Sequence, residues 1–369
     1  MKKQYHRWLQ EVTALPTAAG REDRVIAWIE RWVKRRRNVT IKRDRYGNLL
    51  LQRKGARSTT PIVFTAHMDH PAFVVTQVID SRRVEADFRG GVNDPYFVTG
   101  EPRVVLHHAR GATEGVIEAF RPALDGGYKG GRIALDEPVE AQVGDAITWS
   151  LGEPRLDYEG DRFVSPVCDD LAGLVAGLAA FDALLGSRGN TQPDVRLLLT
   201  RAEEVGFIGA IAACQSGLVP KRGRLINLEC SRSFAESPIG AGPIVRVGDR
   251  TSTFDPDLTY RVGQVAAALA EEDKSFRFQR RLMPGGTCEA SAFQAFGFIA
   301  TCVCLPLGNY HNMNDETGMI DAEFIALSDF DNLVRLLVEV GRRLDAPGKS
   351  PSLRQRLEKL FAERQNVLG

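Results

Sequence analysis

Acids and histidines recur in this chain where apolar runs of strand length stop, a placement that suits divalent-cation chemistry. Residues 61–66 form a continuous apolar run, and His67-Met68-Asp69 follows at once. Ligand sites in open α/β sheets collect outside the carboxyl ends of strands, so His67 is placed to coordinate an ion. Asp69, two residues on, is placed to reach the second imidazole nitrogen and fix its tautomer. The run 195–200 leads to Glu203-Glu204, adjacent glutamates whose burial is costly unless a cation or a proton compensates. A metal would divide their labour, one glutamate on the ion and its neighbour handling a proton on water. Glu229 ends the run 225–228, and His311 lies in a polar loop after the strand expected at 298–305. Cys168-Asp169-Asp170 precedes an apolar helix, where one carboxylate could bridge two cations while the other caps the helix. Singly, each of these has a plainer explanation: a hydrogen-bonded structural histidine, an N-cap acid, a solvated acidic pair, a loop residue. Jointly, in a chain with only six histidines, they outline an imidazole and carboxylate donor set without paired thiols. Such a set fits zinc, manganese or cobalt rather than a cysteine-rich structural zinc site.

The elements that must position these residues are legible from periodicity. Residues 4–16 and 22–36 read as helices, the second carrying Trp28 and Trp32 at i,i+4 beside Ile26 and Ile29 as a core-facing stripe. Its end, Lys34-Arg35-Arg36-Arg37, reads as a solvated terminus favoured by the helix dipole rather than an anion site. Residues 39–43 and 48–53 flank Tyr46-Gly47-Asn48 as a hairpin. From 72 to 160 the character changes: short Val/Thr/Arg strands alternate with Gly-Gly turns, and amphipathic helices are missing. Strand and helix then alternate, with helices at 171–185, 207–215, 256–271 and 321–344 and strands at 195–200, 224–228 and 298–305. A terminal helix is expected at 351–366, after breaks at Pro347-Gly348 and Pro351. This alternation predicts an α/β fold, a mixed sheet flanked by helices on both faces with an inserted small β-rich domain. Residues 1–71 plus 161–369 then form the main, discontinuous domain and 72–160 the insertion.

Composition narrows the class without naming a chemistry. The chain has 369 residues, 48 Lys+Arg against 47 Asp+Glu, 43% hydrophobic and 26% charged residues. Near-neutral charge argues against a nucleic-acid partner, which would show a basic excess or stripe. No apolar run approaches membrane-spanning length, and the opening MKKQYHRWLQEV lacks the apolar stretch of a secretory signal. Six cysteines without a C-x-x-C pair make no disulfide framework. A cytoplasmic protein without membrane or nucleic-acid partners is the expectation. Cys302 and Cys304 should share one buried strand face, Cys168 and Cys230 should point away from the neighbouring ligands, and His107-His108 reads as an exposed loop pair.

Taken in order, Ala66-His67-Met68-Asp69, Asp169-Asp170, Glu203-Glu204-Val205-Gly206, Gly285-Gly286-Thr287 and His311 resemble the motifs of co-catalytic metallo-aminopeptidases. The resemblance is to the glutamyl aminopeptidase and tetrahedral (TET) aminopeptidase group. It runs from the Tyr46-Gly47-Asn48 hairpin to the helix after His311, and it includes a β-rich insertion at the same place. It implies two divalent ions, zinc first with cobalt or manganese as alternatives. His67, Asp169 and Glu229 would hold one, and Asp169 would bridge to a second held by Glu204 and His311. Glu203 would be the general base, Asp69 would orient His67, and Gly285, Gly286 and Thr287 would meet the substrate. The resemblance also implies a peptide substrate and a homo-oligomer, with the insertion as lid or assembly element. The chain departs from the group at four places. Glu229 stands where Asp is usual, Cys288 follows the Gly-Gly-Thr in place of Asp, Leu171 replaces a basic residue and His70 an acid. Glu229 and Cys288 keep open a metal-dependent deacylase or carboxypeptidase on the same framework. A non-catalytic metal-binding relative and a metal-free glycosidase working through paired carboxylates are the remaining alternatives.

Overall fold

The computed structural model describes residues 2–124, 126–186, 193–346 and 353–369. Its centre is an eight-stranded mixed sheet whose order is Val39–Arg43, Leu49–Arg53, Val195–Thr200, Ile62–His67, Arg224–Arg232, Ile299–Leu307, Ile244–Gly248, Gln279–Leu282. The first two strands are the expected antiparallel hairpin. Val195–Thr200, Ile62–His67, Arg224–Arg232 and Ile299–Leu307 run parallel to one another, so their carboxyl ends open on one edge. Ile62–His67 and Val195–Thr200 are buried at every position, as strands covered on both faces must be.

Two apolar layers cover the sheet. One face carries Leu171–Leu185, Pro256–Glu272, Leu327–Arg343 and the two N-terminal helices. Leu171–Leu185 is apolar all round and almost wholly buried, the signature of a central rather than a surface helix. The other face is covered by Ile208–Ser216 and Glu289–Ala295, packed on Leu198, Leu225, Cys302 and Cys304. Both strand cysteines are thus core residues, as expected. At the N-terminal helices Ile29 and Trp32 are buried and Trp28 half-buried. The basic run that follows is not uniformly solvated, because Arg36 pairs with Asp182 at 2.8 Å and lies 3.6 Å from the Trp32 ring centroid. Its planar guanidinium can stack and pair at once, which the neighbouring exposed basic residues do not do.

Between Ala72–Asp80 and Ala146–Trp149 six strands close into a barrel around Phe73, Phe88, Phe97 and Trp149. Phe73–Phe88 and Phe88–Phe97 meet edge to face with centroids 4.8 Å apart. His107 and His108 are the last two residues of a barrel strand and half-buried, not an exposed loop pair. His107 Nε2 lies 2.8 Å from the Thr148 hydroxyl, and burial with Arg24 nearby lowers the imidazole's pKa to about 4.

The long helix expected from 321 begins only at Leu327. Glu323–Ala326 is instead a strand, paired antiparallel with Arg162–Ser165. Alternating burial there outweighs the helical periodicity of the residues that follow. The terminal helix runs Leu353–Arg364 with its described side chains exposed. The predicted breaks at Pro347-Gly348 and Pro351 lie outside the described residues. Among the described residues, no helix is long and apolar enough to cross a membrane.

One glycine controls how the sheet meets the site. A Cβ on Gly209 would stand 2.0 Å from the Arg201 carbonyl oxygen and 2.5 Å from its nitrogen, so only glycine lets Ile208–Ser216 start against the turn carrying Glu203 and Glu204. Gly209→Ala is therefore expected to cost about 1–3 kcal/mol. A lowered denaturant midpoint together with reduced turnover would check it, since the displaced backbone carries both glutamates.

Candidate metal centre

His67 ends a strand, Glu229 lies within Arg224–Arg232 rather than at its end, and Asp169, Glu203, Glu204 and His311 come from the turns and loops that follow other strands. His67 is the last residue of its strand, and the chain turns through Met68-Asp69-His70 before entering the barrel. The Asp69 side chain does more than its spacing suggested. Its two carboxylate oxygens accept from the backbone N–H groups of Glu203 and Glu204, each at 3.0 Å. His67 Nδ1 lies 3.1 Å from the Asp69 backbone carbonyl oxygen and 3.6 Å from its carboxylate. Asp69 thus ties the His67 turn to the Glu203-Glu204 turn. Glu22, fully buried, supports the same turn, accepting from Ala202 N–H at 3.0 Å and from Arg201 Nε at 2.6 Å. Nothing in the sequence singled out Glu22 beyond the start of a helix.

Asp169 faces both histidines. Its Oδ1 lies 3.5 Å from His67 Nε2 and its Oδ2 3.5 Å from His311 Nε2. Glu229 Oε2 stands 3.8 Å from His67 Nε2, and Glu204 Oε1 3.4 Å from His311 Nε2. Three groups of potential ligand atoms converge within 4.8 Å: His67–Asp169–Glu229, Asp169–Glu204–His311, and His67–Glu203–Glu204. Asp170 occupies the N-cap position of Leu171–Leu185, but its side chain makes no capping bond and both its buried oxygens are unpartnered. Asp170 therefore takes the expected cap position without making the capping bond.

His311 is held in a left-handed backbone conformation at φ 55°, between Asn309 at 52° and Asn312 at 62°. A non-glycine residue there stores strain that its surroundings must hold. Glu323 Oε1 accepts the His311 N–H at 2.9 Å, and Glu323 Oε2 accepts the N–H groups of Cys168 at 2.6 Å and Asp169 at 3.0 Å. His311 Nδ1 lies 2.6 Å from the Gly91 carbonyl oxygen, on the loop after the barrel strand Arg83–Arg89. That bond places the Nδ1 proton and leaves Nε2 facing Asp169 and Glu204. His70 is tied in as well, 2.6 Å from the Asp169 carbonyl oxygen and 3.0 Å from Asn312 Oδ1. Burial lowers its pKa to about 4.

Glu323 was missed in the sequence, although a carboxylate at an inward position of an alternating Ala-Glu-Phe-Ile segment was a usable signal. Glu323→Ala leaves three buried N–H groups unmatched and is expected to cost about 3 kcal/mol of stability. Metal affinity should fall about tenfold or more, because the groups it holds carry two of the histidine and aspartate donors. Chemical denaturation and metal titration read the two effects separately.

The electrostatics call for cations. Burial raises the pKa of Glu203 well above its ordinary range, opposed by His67 and reinforced by Glu229 and Glu204. Burial also raises Glu229, and it lifts Glu204 to about 8. Burial opposes charge on the imidazoles too, yet Glu203 and its fellow acids hold His67 well above its usual value. Glu204 and Asp169 likewise bring His311 to about 9 against its burial. Asp169 goes the other way: burial pushes it up, but both histidines prevail and hold it below the usual carboxylate range. So many acids in one buried site need compensating charge, a role that divalent ions can fill. Asp169 Oδ1 and Glu204 Oε1, buried without hydrogen-bond partners, are free to serve as ligand atoms. The donor set fits a metal.

A cavity of about 420 Å3 opens beside Glu229, and Gly285, Gly286 and Thr287 form part of its wall. The predicted substrate-facing glycines therefore reach the same cavity as a predicted ligand. Cys288, next in sequence, is buried, with its N–H donating to Asp249 at 3.1 Å. Cys230 donates to the Cys168 carbonyl oxygen at 3.3 Å, a structural contact.

Sheet and donors together define a class, that of α/β proteins whose strand ends gather histidines and acids to hold cations. Residues 134–336, more than half of the chain, match the family model described as M42 glutamyl aminopeptidase. The chain belongs to the M42 glutamyl aminopeptidase family, and it is a hydrolase of the peptidase class. Solved structures of aminopeptidases share its fold. The aminopeptidase APDkam598 of the archaeon Desulfurococcus kamchatkensis is 22% identical with a TM-score of 0.74, over 95% of this chain and 99% of that one. The TET aminopeptidase of the marine sediment archaeon Thaumarchaeota archaeon SCGC AB-539-E09 is 20% identical with a TM-score of 0.74, covering 93% and 98%. The TET1 peptidase of Pyrococcus horikoshii, described as assembling into a tetrahedron or a large octahedral shell, is 22% identical with a TM-score of 0.72, covering 91% and 99%. No curated protein matches the chain significantly.

Proposed function

We propose that this protein is a dinuclear-metal aminopeptidase that removes residues from the amino ends of peptides, with Glu203 as general base. The observation that carries the reading is Asp169, with one oxygen at 3.5 Å from each of two histidines. His67, Asp169 and Glu229 would hold one ion, and Asp169, Glu204 and His311 the other, with zinc as the metal and cobalt or manganese able to replace it. Two such ions, when bound, supply Lewis acidity toward a scissile carbonyl and toward the attacking water. The chain's own residues do the rest. Asp69 fixes the backbone of Glu203 and Glu204, so the two carboxylates are aimed independently. Glu203, left off the ions, takes the water proton on its carboxylate and returns it to the departing amine nitrogen. The Gly91 carbonyl oxygen and the Asp69 backbone hold the two histidines in the tautomers that turn Nε2 into the site. Gly285, Gly286 and Thr287 would line the path of the substrate.

In the same reading, 1–71 plus 161–369 form the catalytic domain and the barrel region 72–160 an inserted lid or assembly domain. The barrel's own aromatic core and its Gly91 contact with His311 support that division. A homo-oligomer follows from the likeness to assembling TET proteins, and light scattering of the full chain tests it. Six unpaired cysteines suit a cytoplasmic location. The activity is tested with aminoacyl anilides and N-acyl amino acids offered to the metal-loaded protein. Hydrolysis of the anilides, lost on chelation and restored by zinc, is expected. Hydrolysis of the N-acyl compounds alone would replace this reading with a deacylase.

A further inference from the structure

A second cleft, of about 210 Å3, lies where the N-terminal segment meets the barrel. It shares no residue with the cavity beside Glu229 or with the metal donors. Arg21, Asp23 and Arg24 supply one wall, and His107, His108 and Asp145 of the barrel region supply the other. Arg21 and Asp23 answer each other at 3.7 Å. Arg24 and Asp145 are left over. Among the described residues, Arg24 has no carboxylate oxygen within 4.0 Å, and Asp145 no lysine, arginine or histidine nitrogen. Asp145 accepts from the Gln142 N–H at 2.8 Å, which leaves its charge uncompensated. Arg24 stands close enough to His107 for its charge to lower the pKa of that imidazole. The two walls thus carry one unpaired cation and one unpaired anion, too far apart to pair directly. Pro16, Ala109 and Ala146 add apolar lining. The cleft falls below the roughly 300–1,000 Å3 of drug-sized sites, which restricts an occupant to a small molecule. A small molecule bearing both charges and an apolar stem is a free α-amino acid.

We propose that this cleft is an effector site for a free α-amino acid, its carboxylate on Arg24 and its ammonium group on Asp145. The binding stands independently of the aminopeptidase reading. Its consequence rests on that reading, in which free amino acids are products. Arg24 lies two residues from Glu22, whose carboxylate accepts from Ala202 N–H and Arg201 Nε and so braces the turn carrying Glu203 and Glu204. The Gly20 carbonyl oxygen accepts from Arg201 Nη2 at 3.0 Å, a further tie to that turn. The same segment is fastened to the barrel. Arg89 Nη1 donates to the Ala19 carbonyl oxygen at 2.7 Å, and Ala18 packs with Ala72, Val74 and Ala146. An occupant spanning the seam draws Arg24 toward Asp145 and disturbs the contacts of Glu22. Product accumulation then slows turnover from a site apart from the metal centre, a coupling between two distinct sites.

Calorimetry on the full chain compares L-leucine with isocaproate, which lacks its ammonium group, and isoamylamine, which lacks its carboxylate. Wild type, Arg24→Gln and Asp145→Asn are titrated with each. Leucine is expected to bind wild type about tenfold or more tightly than either analogue, and each substitution to weaken it by a similar factor. No leucine binding, isocaproate binding as tight as leucine, or leucine binding that survives both substitutions overturns the site. Kinetics with a Leu-anilide read the consequence. Leucine should lower the maximal rate by about twofold or more in wild type, an effect that saturating anilide does not relieve. Arg24→Gln should keep its basal rate and lose this inhibition. Inhibition that saturating anilide abolishes refutes the effector role. If no anilide is cleaved, the aminopeptidase reading falls, and calorimetry alone decides the site. Arg24 is exposed, so its variant and the analogue comparison stand even if Asp145→Asn, which alters a turn acceptor, fails to fold.

Discussion

Replacing Glu203 with Gln is expected to lower kcat by about a thousandfold while leaving metal content unchanged. The amide keeps the volume of the carboxylate, and the Asp69 contact that sets this turn is made by the backbone N–H, which the substitution does not touch. What disappears is the ability to accept a proton from water and return it to the leaving amine. The result separates two arrangements that the geometry holds side by side, because His67, Glu203 and Glu204 also converge. If Glu203 were a ligand, the variant would lose an ion along with its activity. Elemental analysis beside the kinetics distinguishes the two.

Asp169→Ala should have the broadest consequence. Each of its oxygens faces a different histidine, so one substitution removes a ligand from both proposed ion positions. Activity is expected to fall to background and bound metal to drop from two ions per chain toward none. Thermal stability gives a second readout. Wild type should gain Tm on adding zinc, since an ion that binds only the folded state stabilises it by mass action. Asp169→Ala should show little of that gain, whatever its Tm without metal. A variant that still bound two ions would show that Asp169 does not bridge.

Much of this centre was legible in the sequence because its donors sit at strand ends, and strand ends are what apolar runs announce. The strand Ile62–His67 followed by Asp69, and Val195–Thr200 followed by Glu203-Glu204, needed only periodicity to place. The strands at 195–200, 224–228 and 298–305 were legible for the same reason, whereas Ile244–Gly248 and Gln279–Leu282 were not read as strands. What stayed hidden acts through the backbone or across long separations. Glu323 reaches the N–H groups of Cys168 and Asp169 from more than 150 positions away, and local helical periodicity concealed its strand. Asp69 looked like a partner for an imidazole because spacing relates side chains; its further bonds to two backbone N–H groups could not be read from spacing. His70 looked like a departure from a motif, yet it braces the Asp169 carbonyl and Asn312. Closure of the β-rich stretch into a barrel, and the Gly91 carbonyl it brings to His311, depends on which strands pair, and strand composition does not specify that.

The most direct test of the central claim is anomalous diffraction at the zinc edge from crystals of the zinc-loaded protein. Two peaks are predicted, about 3.5–4 Å apart as two-metal sites require, one bounded by His67, Asp169 and Glu229 and the other by Asp169, Glu204 and His311. A single peak, or one coordinated by His67, Glu203 and Glu204, would contradict both the bridge and the base.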